Sequence, residues 1–350
     1  EKTEELTHSI GHCERCGTII EPLYSKQWFL NMQELAKKTH RKLSIDSMFE
    51  KEIKFYPNRW LPTSLAWLEL ENIKDWNISR QLWWGHPIPE SDDVLDTWFS
   101  SALWPFAVLG WPDENTPNYK SYYPIQFITS GRDILFLWIT RMIFSGLELT
   151  NKYPFSEVYI HATVLTKDGR RMSKSKGIGI DPLSLIEKYG ADALRFGLAF
   201  QTTGIQDMRF NEDVILMGKK FTNKLWNIAR YILMKVGPGY TFPIKNVPKS
   251  DELEKQIIEK MDFMIGSATR EIEKYQFGDA AHRIYDFVWH DFADKYIEES
   301  KNKNDTITKN TLAFILINIL KVLHPFMPFV TEEIWSKFAK QLLLIEQWPK

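Results

Sequence analysis

The spacing of hydrophobic residues differs between two regions of the chain. In the first it is typical of alternating strands and helices, and in the second of helices alone. Residues 125–128 and residues 158–161 form short apolar runs with the length and composition of strands. Between them, residues 134–147 are rich in Leu, Ile, Phe and Trp and are long enough for a buried helix. Such runs alternate with helical patterns from about residue 53 onward, which predicts an α/β architecture.

The pattern changes after Phe210, where the strand-like runs stop. Apolar residues then recur at helical spacing, at Val214, Met217, Phe221, Leu225, Ile228 and Ile232. Three further stretches, 257–275, 279–300 and 307–323, are long and amphipathic. We therefore expect an all-α helical bundle in the last third of the sequence.

Composition and charge exclude several classes of protein. The 350 residues suffice for two domains, and 25% charged with 44% hydrophobic residues is typical of a globular protein. A formal net charge of −1 excludes a generally basic coat, so any RNA contact must use local patches. The acidic residues 1–5 do not resemble a secretory signal, and no apolar run approaches the roughly 20 residues of a membrane span. We expect a cytoplasmic protein that does not bind a membrane.

Residues 169–176 carry the strongest chemical signal in the sequence. They read Gly-Arg-Arg-Met-Ser-Lys-Ser-Lys, which places four cations and two hydroxyls in one short stretch next to glycine. Glycine lets a loop fold closely around a ligand, and charge-assisted hydrogen bonds from Lys and Arg suit a polyphosphate. Asp181 and Pro182 then provide a cap and a first residue for the next helix. The alternative is an ordinary basic surface turn.

Cys13 and Cys16 are the two cysteines of the sequence and have the spacing of half a zinc knuckle. Two cysteines are too few for a disulfide scaffold. A structural zinc site normally has four ligands, and the spacing of His8 and His12 fits no usual knuckle. Zinc binding and a pair of free thiols both remain open.

The strand pattern places two polar motifs at one edge of the predicted sheet. Gly131, Arg132 and Asp133 follow the strand at 125–128. Residues 169–176, here called the cationic loop, lie beyond the strand at 158–161. Ligands of open α/β sheets bind at the carboxyl ends of the strands. We therefore expect the two motifs to share one site.

Residues 171–175, Arg-Met-Ser-Lys-Ser, resemble the KMSKS signature of class I aminoacyl-tRNA synthetases, with arginine in place of the first lysine. Further stretches resemble the valyl-tRNA synthetases in particular: 77–86, 93–101, 131–134, 190–196, 206–210 and 324–335. The similarity runs from about residue 11 to residue 335. Isoleucyl and leucyl relatives share the architecture, whereas the Leu-Asp-Thr-Trp-Phe-Ser-Ser of residues 95–101 favours the valyl members.

The resemblance implies a fold and an order of domains. We expect the C-terminal half of a class I Rossmann-like catalytic domain, of α/β class, followed by an all-α anticodon-binding helical bundle. Residues 1–40 would form a zinc-ribbon-like remnant and connector after the editing insertion, 41–212 the catalytic domain and 213–350 the anticodon-binding domain. The half with the HIGH signature and the editing domain would lie upstream, and a cysteine-bearing knuckle of the family is missing between Pro89 and Asp93. We therefore expect a fragment or a set of joined segments.

The resemblance also implies a reaction in a monomeric enzyme that uses ATP and Mg²⁺. Valine and ATP would form valyl-adenylate, and the valyl group would then pass to tRNA(Val). Lys174 and Arg171 would be catalytic through their contacts with the ATP phosphates. The residues expected to bind ATP with them are Ser173, Ser175, Met172, His161, Gly131 and Asp133. The residues expected to form the amino-acid pocket are Trp98, Asp133, Ile134 and Trp138.

Several of these assignments have a simpler alternative. Trp98 would otherwise be a core residue, and Asp133 a helix cap. The His161 side chain would be incidental if only the backbone there faces adenine. We expect Trp83 and Trp84 to be core residues rather than ligand contacts.

The predicted helical region would bind tRNA through cations on its first helix: Lys219, Lys220, Lys224 and Arg230. The alternative is that these residues form a solvated face. Cys13 and Cys16 would hold zinc with partner ligands that this sequence lacks. Three alternatives to a valyl enzyme are an isolated tRNA-binding module, another class Ia synthetase of isoleucyl or leucyl type, and a nonsynthetase adenylate-binding or regulatory paralogue.

Overall fold

The computed structural model describes residues 7–13, 16–21, 24–49, 53–172, 177–202, 207–241 and 252–349. The chain divides into two compact units, each built from separate segments. Unit 1 comprises Glu1–Ile53, Pro62–Gln126 and Ile134–Ser156. Unit 2 comprises Lys54–Leu61, Phe127–Asp133 and Glu157–Lys350.

Within the described residues the strands are β1 (Phe29–Leu30), β2 (Lys54–Tyr56), β3 (Trp76–Asn77), β4 (Ser79–Arg80), β5 (Val94–Leu95), β6 (Ile125–Gly131), β7 (Phe155–His161), β8 (Val164–Leu165) and β9 (Met208–Arg209). The α-helices are α1 (Met32–Phe49), α2 (Trp60–Trp67), α3 (Thr97–Ala102), α4 (Trp104–Ala107), α5 (Pro117–Tyr122), α6 (Thr140–Leu149), α7 (Pro182–Tyr189), α8 (Ala191–Gln201), α9 (Glu212–Val236), α10 (Glu252–Glu273), α11 (Phe277–Asp286), α12 (Glu298–Ser300), α13 (Thr306–Leu323) and α14 (Pro328–Trp335). Other helical geometry occurs as 3₁₀ turns at Arg132–Ile134 and Leu343–Ile345 and as π-helical segments at Leu135–Ile139 and Phe287–Ile297.

The main sheet has the strand order β2-β7-β6, and β2 runs parallel to β7 with Phe55 opposite Val158. Both of these side chains are buried, so the sheet has an apolar interior. The two predicted strands are confirmed, and each is longer than its apolar run, since β6 reaches Gly131 and β7 begins at Phe155. The helix expected from residue 134 does not begin in α-helical geometry, because a 3₁₀ turn and a π-helical segment precede α6. Such π-helical segments are frequent at functional sites.

The helices from α9 onward bury one apolar core, which confirms the predicted bundle. Fully buried side chains from different helices meet there, including Phe221, Phe292 and Leu316. Each contributes about 1.5–3 kcal/mol by its removal from water. The first bundle helix ends at Gly237, whose φ of 84° is the left-handed conformation that glycine adopts readily at helix ends.

The helix α13 is long and apolar enough to cross a membrane by length and composition, with a mean hydropathy of 1.4 over 18 residues. No membrane span is expected from the sequence of this helix, because its apolar run falls short of 20 residues. In the structure 67% of this stretch is buried within the protein, including Leu312 and Leu320. Its place in the bundle core accounts for its apolar composition.

In unit 1, α1 packs against α6, and both helices bury small and aliphatic side chains such as Ala36, Leu43 and Met142. The expectation that Trp83 and Trp84 are core residues is wrong, because they are 98% and 86% exposed. They lie on the connection between β4 and β5, and such connections run over the surface because their backbone polar groups need water.

The domain boundaries at residues 40 and 212 stay predictions. Residue 40 lies inside α1, whereas residue 212 is the first residue of α9, where the bundle begins. The two compact units follow a different division, because unit 2 contains both the sheet edge and the bundle.

Candidate active site

The cationic loop begins as a tight hairpin after β8. Thr166 N–H donates to the carbonyl oxygen of Arg170 at 2.8 Å, and Gly169 N–H donates to that of Thr166 at 2.9 Å. Gly169 has a φ of 85°, a left-handed conformation that favours glycine at this turn. The Asp168 carboxylate lies 2.6 Å from Arg170 Nε, and hydrogen bonds from the Thr166 hydroxyl and from Arg170 lower the pKa of Asp168. Arg170 is therefore engaged within the hairpin itself.

Arg171 joins the two motifs that the sequence places at one sheet edge. Its backbone forms an antiparallel bridge with Leu165, and its guanidinium forms a salt bridge with the Asp133 carboxylate. The expected proximity of the strand-end turn and the cationic loop is thus confirmed for these two residues. Their side chains are 66% and 45% exposed, so the pair contributes at most about 1 kcal/mol and can open for a ligand.

The helix-cap alternative for Asp133 finds no support in the geometry. Asp133 lies inside the 3₁₀ turn, and the π-helical segment that follows begins after Ile134 without a side-chain cap. The carboxylate is directed to the guanidinium of Arg171 instead. Asp133 is therefore available for ligand binding in a way that a capping carboxylate would not be.

Three of the predicted phosphate contacts lie outside the described residues: Ser173, Lys174 and Ser175. Beyond them the chain is anchored at α7, where Asp181 accepts a hydrogen bond from Leu183 N–H at 3.0 Å. Pro182 occupies the first position of this helix. The predicted cap and proline are confirmed, so the loop leads into a firmly started helix.

Met172, the last described residue before that gap, is half-buried. It packs against an apolar cluster that contains Leu185, Leu194 and Ile215. This contact attaches the start of the loop to α7 and α8. Its predicted contact with ATP stays a prediction.

Three further charged residues lie at this sheet edge and were given no role from the sequence: Arg132, Asp207 and Arg209. Arg132 forms a salt bridge with Asp207 at 2.7 Å. The Arg209 guanidinium lies beside Gly169, where an added side-chain carbon would be 3.3 Å from Nε. Asp207 and Arg209 reach this position because β9 pairs in parallel with β8. The resemblance of residues 206–210 to the valyl-tRNA synthetases was the signal that could have identified them.

His161 ends β7 and lies beside Gly131 of the adjacent strand β6. A side-chain carbon added to Gly131 would lie 3.7 Å from Cε1 of His161, an ordinary van der Waals distance, so the imidazole lies directly beside Gly131. The imidazole also lines a cavity of about 300 Å³, together with Tyr159, Phe277 and Phe326. The structure therefore brings two predicted nucleotide contacts side by side.

In unit 1, Trp98 is half-buried and lines a cavity of about 410 Å³ with the indoles of Trp67 and Trp76. Asp96 lies below it and caps α3 by accepting a hydrogen bond from Trp98 N–H at 3.3 Å. The same carboxylate accepts hydrogen bonds from Trp76 Nε1 at 2.9 Å and from Arg80 Nη2 at 2.8 Å. Trp98 is thus held by a polar network rather than by apolar packing alone.

Arg141 supplies a second positive charge to this network. Its guanidinium lies 3.6 Å from the Trp76 ring centroid and 3.7 Å from the Asp96 carboxylate. The side chain is 11% exposed, and burial lowers the pKa of Arg141 to about 10 although Asp96 opposes this shift. Desolvation of buried ions is costly, so Arg80, Asp96 and Arg141 are stable only as a complete set. No local sequence pattern singles out Arg141.

Trp138 also belongs to this part of unit 1. Its Nε1 donates a hydrogen bond to the carbonyl oxygen of Ser101 at 3.3 Å, and its ring lies 6.4 Å from that of Trp104. Because Ser101 is in α3, Trp138 contacts the helix that carries Trp98. Ile134 is half-buried one helical turn before Trp138. The pocket assignment of these three residues stays a prediction.

Two of the four cations predicted to contact tRNA have partners within the protein. Lys219 Nζ donates to the carbonyl oxygen of Lys188 at 2.9 Å. Lys224 lies 2.8 Å from the Asp294 carboxylate and 5.1 Å from the Trp289 ring centroid. A bound phosphate would have to compete with these contacts.

The other two cations are more accessible. Lys220 is exposed on α9, and Arg230 is exposed about three turns further along the same helix. Arg230 lines a small apolar cavity of about 180 Å³ with Trp226 and Lys337. A flat base and its phosphate could both find partners at such a place, since aromatic faces stack on bases and cations pair with phosphates.

The cysteine pair lies on a small ribbon in which His12 is paired with Ile19. Cys13 is half-buried and Cys16 is exposed, and both are free thiols. Hydrogen bonding to Thr18 lowers the pKa of Cys16 to about 7, which favours the thiolate that metals bind. Among the residues described, no group of three or more metal ligands occurs, so this ribbon supplies two thiols and no complete zinc site.

Comparison with known proteins gives consistent results over the whole chain. A family model described as "tRNA synthetases class I (I, L, M and V)" matches residues 7–91 and 90–211, and one described as "Anticodon-binding domain of tRNA ligase" matches residues 254–350. The first match is divided at residues 90–91, where the knuckle expected from the family is missing. The valine–tRNA ligases of Staphylococcus aureus strains JH9 and Newman are each 42% identical to this chain over 385 aligned residues. The alignment takes in 100% of this chain and 43% of each relative.

Solved structures show the same fold at lower identity. Methionyl-tRNA synthetase of Mycobacterium tuberculosis, in complex with methionyl-adenylate, superposes with a TM-score of 0.76 at 17% identity, over 95% of this chain and 67% of that one. The LeuRS of Agrobacterium radiobacter K84, in a ternary complex with tRNA and LeuAMS, gives 0.67 at 19% identity, over 79% of this chain and 43% of that one. The expected fold, half of a Rossmann-like catalytic domain followed by a helical anticodon-binding domain, is confirmed. The chain spans less than half the length of the curated relatives, and it belongs to the class I tRNA synthetases of the I, L, M and V group.

Proposed function

We propose that this chain is the C-terminal part of a valine–tRNA ligase, which activates valine with ATP and transfers the valyl group to tRNA(Val). The observation that carries the proposal is 42% identity to valine–tRNA ligases along the whole chain. The salt bridge between Arg171 and Asp133 supports it, because it joins the two motifs that would share the nucleotide site. The full reaction would need the longer protein, since the chain covers 43% of those relatives.

The chemistry consists of two displacements. A carboxylate oxygen of valine attacks the α-phosphorus of ATP, the bond from that phosphorus to its bridging oxygen breaks, and pyrophosphate leaves. A ribose hydroxyl at the end of the tRNA then attacks the carbonyl carbon of valyl-adenylate, and AMP leaves. Both steps depend on positioning and on stabilisation of phosphate charge. Lys174 would stabilise the leaving pyrophosphate, and Mg²⁺ would neutralise phosphate charge when bound.

Arg171 and Asp133 would exchange partners when substrates arrive. In the absence of ligands each neutralises the other. A phosphate of ATP would then take the guanidinium of Arg171, and the ammonium of valine or a ribose hydroxyl would take the carboxylate of Asp133. Because the pair is largely exposed, its opening costs little.

The amino-acid pocket would be formed by apolar walls. Trp98 belongs to α3 and Trp138 contacts the same helix. Their indole faces would receive an aliphatic side chain. Ile134, one turn from Trp138, would add a branched aliphatic contact. A pocket of this kind suits valine, because its side chain has no hydrogen-bonding group to satisfy.

The bundle would hold the tRNA, and Lys220 and Arg230 are better placed for phosphate contacts than the two lysines with internal partners. Cys13 and Cys16 would bind zinc only together with ligands from elsewhere. We further propose a cytoplasmic, monomeric enzyme that does not bind a membrane.

Valine-dependent exchange of labelled pyrophosphate into ATP tests the proposal. The chain is assayed alone and after mixing with the separately expressed amino-terminal half of the Staphylococcus aureus valine–tRNA ligase. Exchange by the mixture, with valine and not with isoleucine or leucine, is expected. No exchange by a mixture that does form a complex would contradict it.

The second candidate function, an isolated tRNA-binding module, is favoured by the match of residues 254–350 to an anticodon-binding domain. It predicts tRNA binding by the chain without exchange in the mixture. Binding should weaken steeply with salt, since phosphate contacts release counterions. A nonsynthetase paralogue would show neither property.

A further inference from the structure

Two stretches that resemble synthetase motifs, residues 190–196 and 324–335, have no role in the chemistry described above, and they meet in unit 2. The first stretch begins α8, and the second ends one bundle helix and begins α14. The contacts between them include the rings of Phe196 and Phe326, which lie 6.5 Å apart, and the side chain of Asp192, which is 6% exposed although it carries a carboxylate.

Asp192 accepts hydrogen bonds from the first backbone N–H groups of α14, a helix that has no capping residue of its own. The residue before α14, Met327, makes no side-chain capping hydrogen bond. Phe329 N–H donates to Asp192 Oδ1 at 3.2 Å, and Val330 N–H donates to Oδ2 at 2.6 Å. The first N–H groups of a helix have no partners within it, and negative charge is favoured there. Asp192 lies 137 positions before Phe329 in the sequence. Capping alone does not need so distant a residue, because a local Ser, Thr or Asp would serve equally well.

Two further hydrogen bonds join α8 to the bundle. Arg195 Nη2 donates to the carbonyl oxygen of Pro325 at 2.9 Å. At the far end of the helix, His282 Nε2 donates to the carbonyl oxygen of Phe200 at 3.0 Å. Together with those of Asp192, these hydrogen bonds attach α8 to the bundle at three points along its length.

The helix α8 also contacts Met172, at the start of the cationic loop. Leu194 belongs to the apolar cluster against which Met172 packs. The same cluster contains Leu185 of α7, the helix that the loop leads into. One helix therefore contacts both the base of the loop and the bundle.

We propose that Asp192 is a positioning residue that fixes the helical bundle to the helix beneath the cationic loop. The bundle, which would hold the tRNA, and the nucleotide site, where the end of the same tRNA would react, then keep a constant separation. The tethering of the bundle is independent of the activity, whereas its consequence for tRNA rests on the function proposed above. Arg195 and His282 support the same attachment with weaker, singly bonded contacts.

A distance measurement between spin labels tests the tether directly. Labels are attached through Glu187→Cys on α7 and Ser336→Cys at the end of α14, two exposed positions, in a chain that also carries Cys13→Ser and Cys16→Ser. Asp192→Ala is expected to broaden the distribution of distances. The matched control is Asp305→Ala, because Asp305 caps α13 locally through Thr308 N–H at 2.8 Å, and its side-chain hydrogen bonds within the described residues are to Thr308 alone.

The tether is overturned if the distribution in Asp192→Ala is as narrow as in Asp305→Ala. Should Asp192→Ala fail to fold, Asp192→Asn is measured instead, because it keeps the size of the side chain and removes its charge and one of the two oxygens that accept from Phe329 and Val330 N–H. A broader distribution than in the control then supports the tether, and an unchanged one overturns it.

Affinity for a tRNA(Val) transcript is measured on the same variants. We expect about tenfold weaker binding in Asp192→Ala than in Asp305→Ala, because two sites lose their fixed separation. Equal affinities in the two variants would overturn the positioning role for tRNA. A parent chain that does not bind tRNA would contradict the proposed function, and the distance result would still decide the tether.

Discussion

Asp96 in unit 1 and Asp133 in unit 2 are both carboxylates paired with arginine, yet their surroundings are opposite. The Asp96 side chain is 7% exposed and accepts hydrogen bonds from Trp76, from Arg80 and from the backbone of its own helix. The Asp133 side chain is 45% exposed, and its salt bridge is to Arg171, which is 66% exposed. The first carboxylate is part of a fixed network, and the second is open to solvent.

The difference separates a structural charge from one that can bind a ligand. A buried ion is stable only while all its partners remain, because each partner that leaves exposes an uncompensated charge to a low-dielectric interior. An exposed pair exchanges partners at little cost. Substrate binding at a phosphate site requires such exchange, so the region around Asp133 is suited to chemistry and the region around Asp96 to holding Trp98 in place.

Asp96→Asn should have the largest effect on stability. It leaves the buried guanidinium of Arg141 and that of Arg80 without a negative partner. Removal of one partner of a buried pair typically costs about 3–5 kcal/mol. We expect a loss of this size in the free energy of unfolding, measured by urea denaturation of the chain.

Asp133→Asn is the matched control, because it makes the same chemical change at the exposed pair. Its loss of stability should stay within about 1 kcal/mol. Equal losses in the two variants would contradict the distinction between the two regions.

Lys174→Ala should show the reverse pattern, with a loss of activity and no loss of stability. Removal of a group that stabilises transition-state charge typically lowers a rate by roughly 10²–10³-fold. We expect valine-dependent pyrophosphate exchange in the complemented enzyme to fall by this factor while the midpoint of unfolding is unchanged. Lys120→Ala, at an exposed lysine of unit 1, is the control. Exchange by Lys174→Ala at the parent rate would exclude the role of Lys174.

Arg171→Lys should have a smaller effect on the same rate. Lysine restores the residue that the KMSKS signature has at this position, and it keeps the charge but not the forked geometry of the guanidinium. We expect exchange to change by about fivefold or less, which corresponds to about 1 kcal/mol. Arg171→Ala should be clearly worse than Arg171→Lys, and equal rates in the two variants would show that the charge at this position is unimportant.

Sequence patterns predicted the elements and their order better than they predicted the charge networks. The strands that end at Gly131 and His161 follow from short apolar runs, and the bundle follows from a period of 3.6 residues. The proximity of Asp133 to the loop follows from the rule that ligands bind at the carboxyl ends of strands. These predictions need only local patterns and one rule of topology.

The structure adds what local patterns cannot give. Arg141 looks like any charged helical residue, and only tertiary packing places its guanidinium over the ring of Trp76. The exposure of Trp83 and Trp84 was missed for the same reason, because an aromatic residue is predicted to be buried unless the loop that carries it is known. The capping of α14 by Asp192 joins residues far apart in sequence, and no period in the sequence connects them.

His324 lies between the two extremes, and its variant should have the smallest effect. Its side chain is 12% exposed, its Nδ1 lies 2.8 Å from the Thr331 hydroxyl, and burial lowers the pKa of His324 although Glu332 and Asp192 oppose this shift. The unfolded chain therefore binds a proton at His324 more readily than the folded chain does. The stability that His324 contributes is present above the pKa of about 6.5 of the unfolded state, and it is lost as the pH falls below this value.

Urea denaturation at pH 7.5 and at pH 5.5 measures this loss, and the difference between the two should be smaller in His324→Gln than in the parent. Thr331→Val is the control, because it removes the hydrogen-bond partner and keeps the titrating group. That variant should be less stable at both values of pH and should retain the dependence on pH. If the stability of His324→Gln depends on pH as strongly as that of the parent, then other groups titrate in this range. Burial of His324 would then not disfavour its charged form.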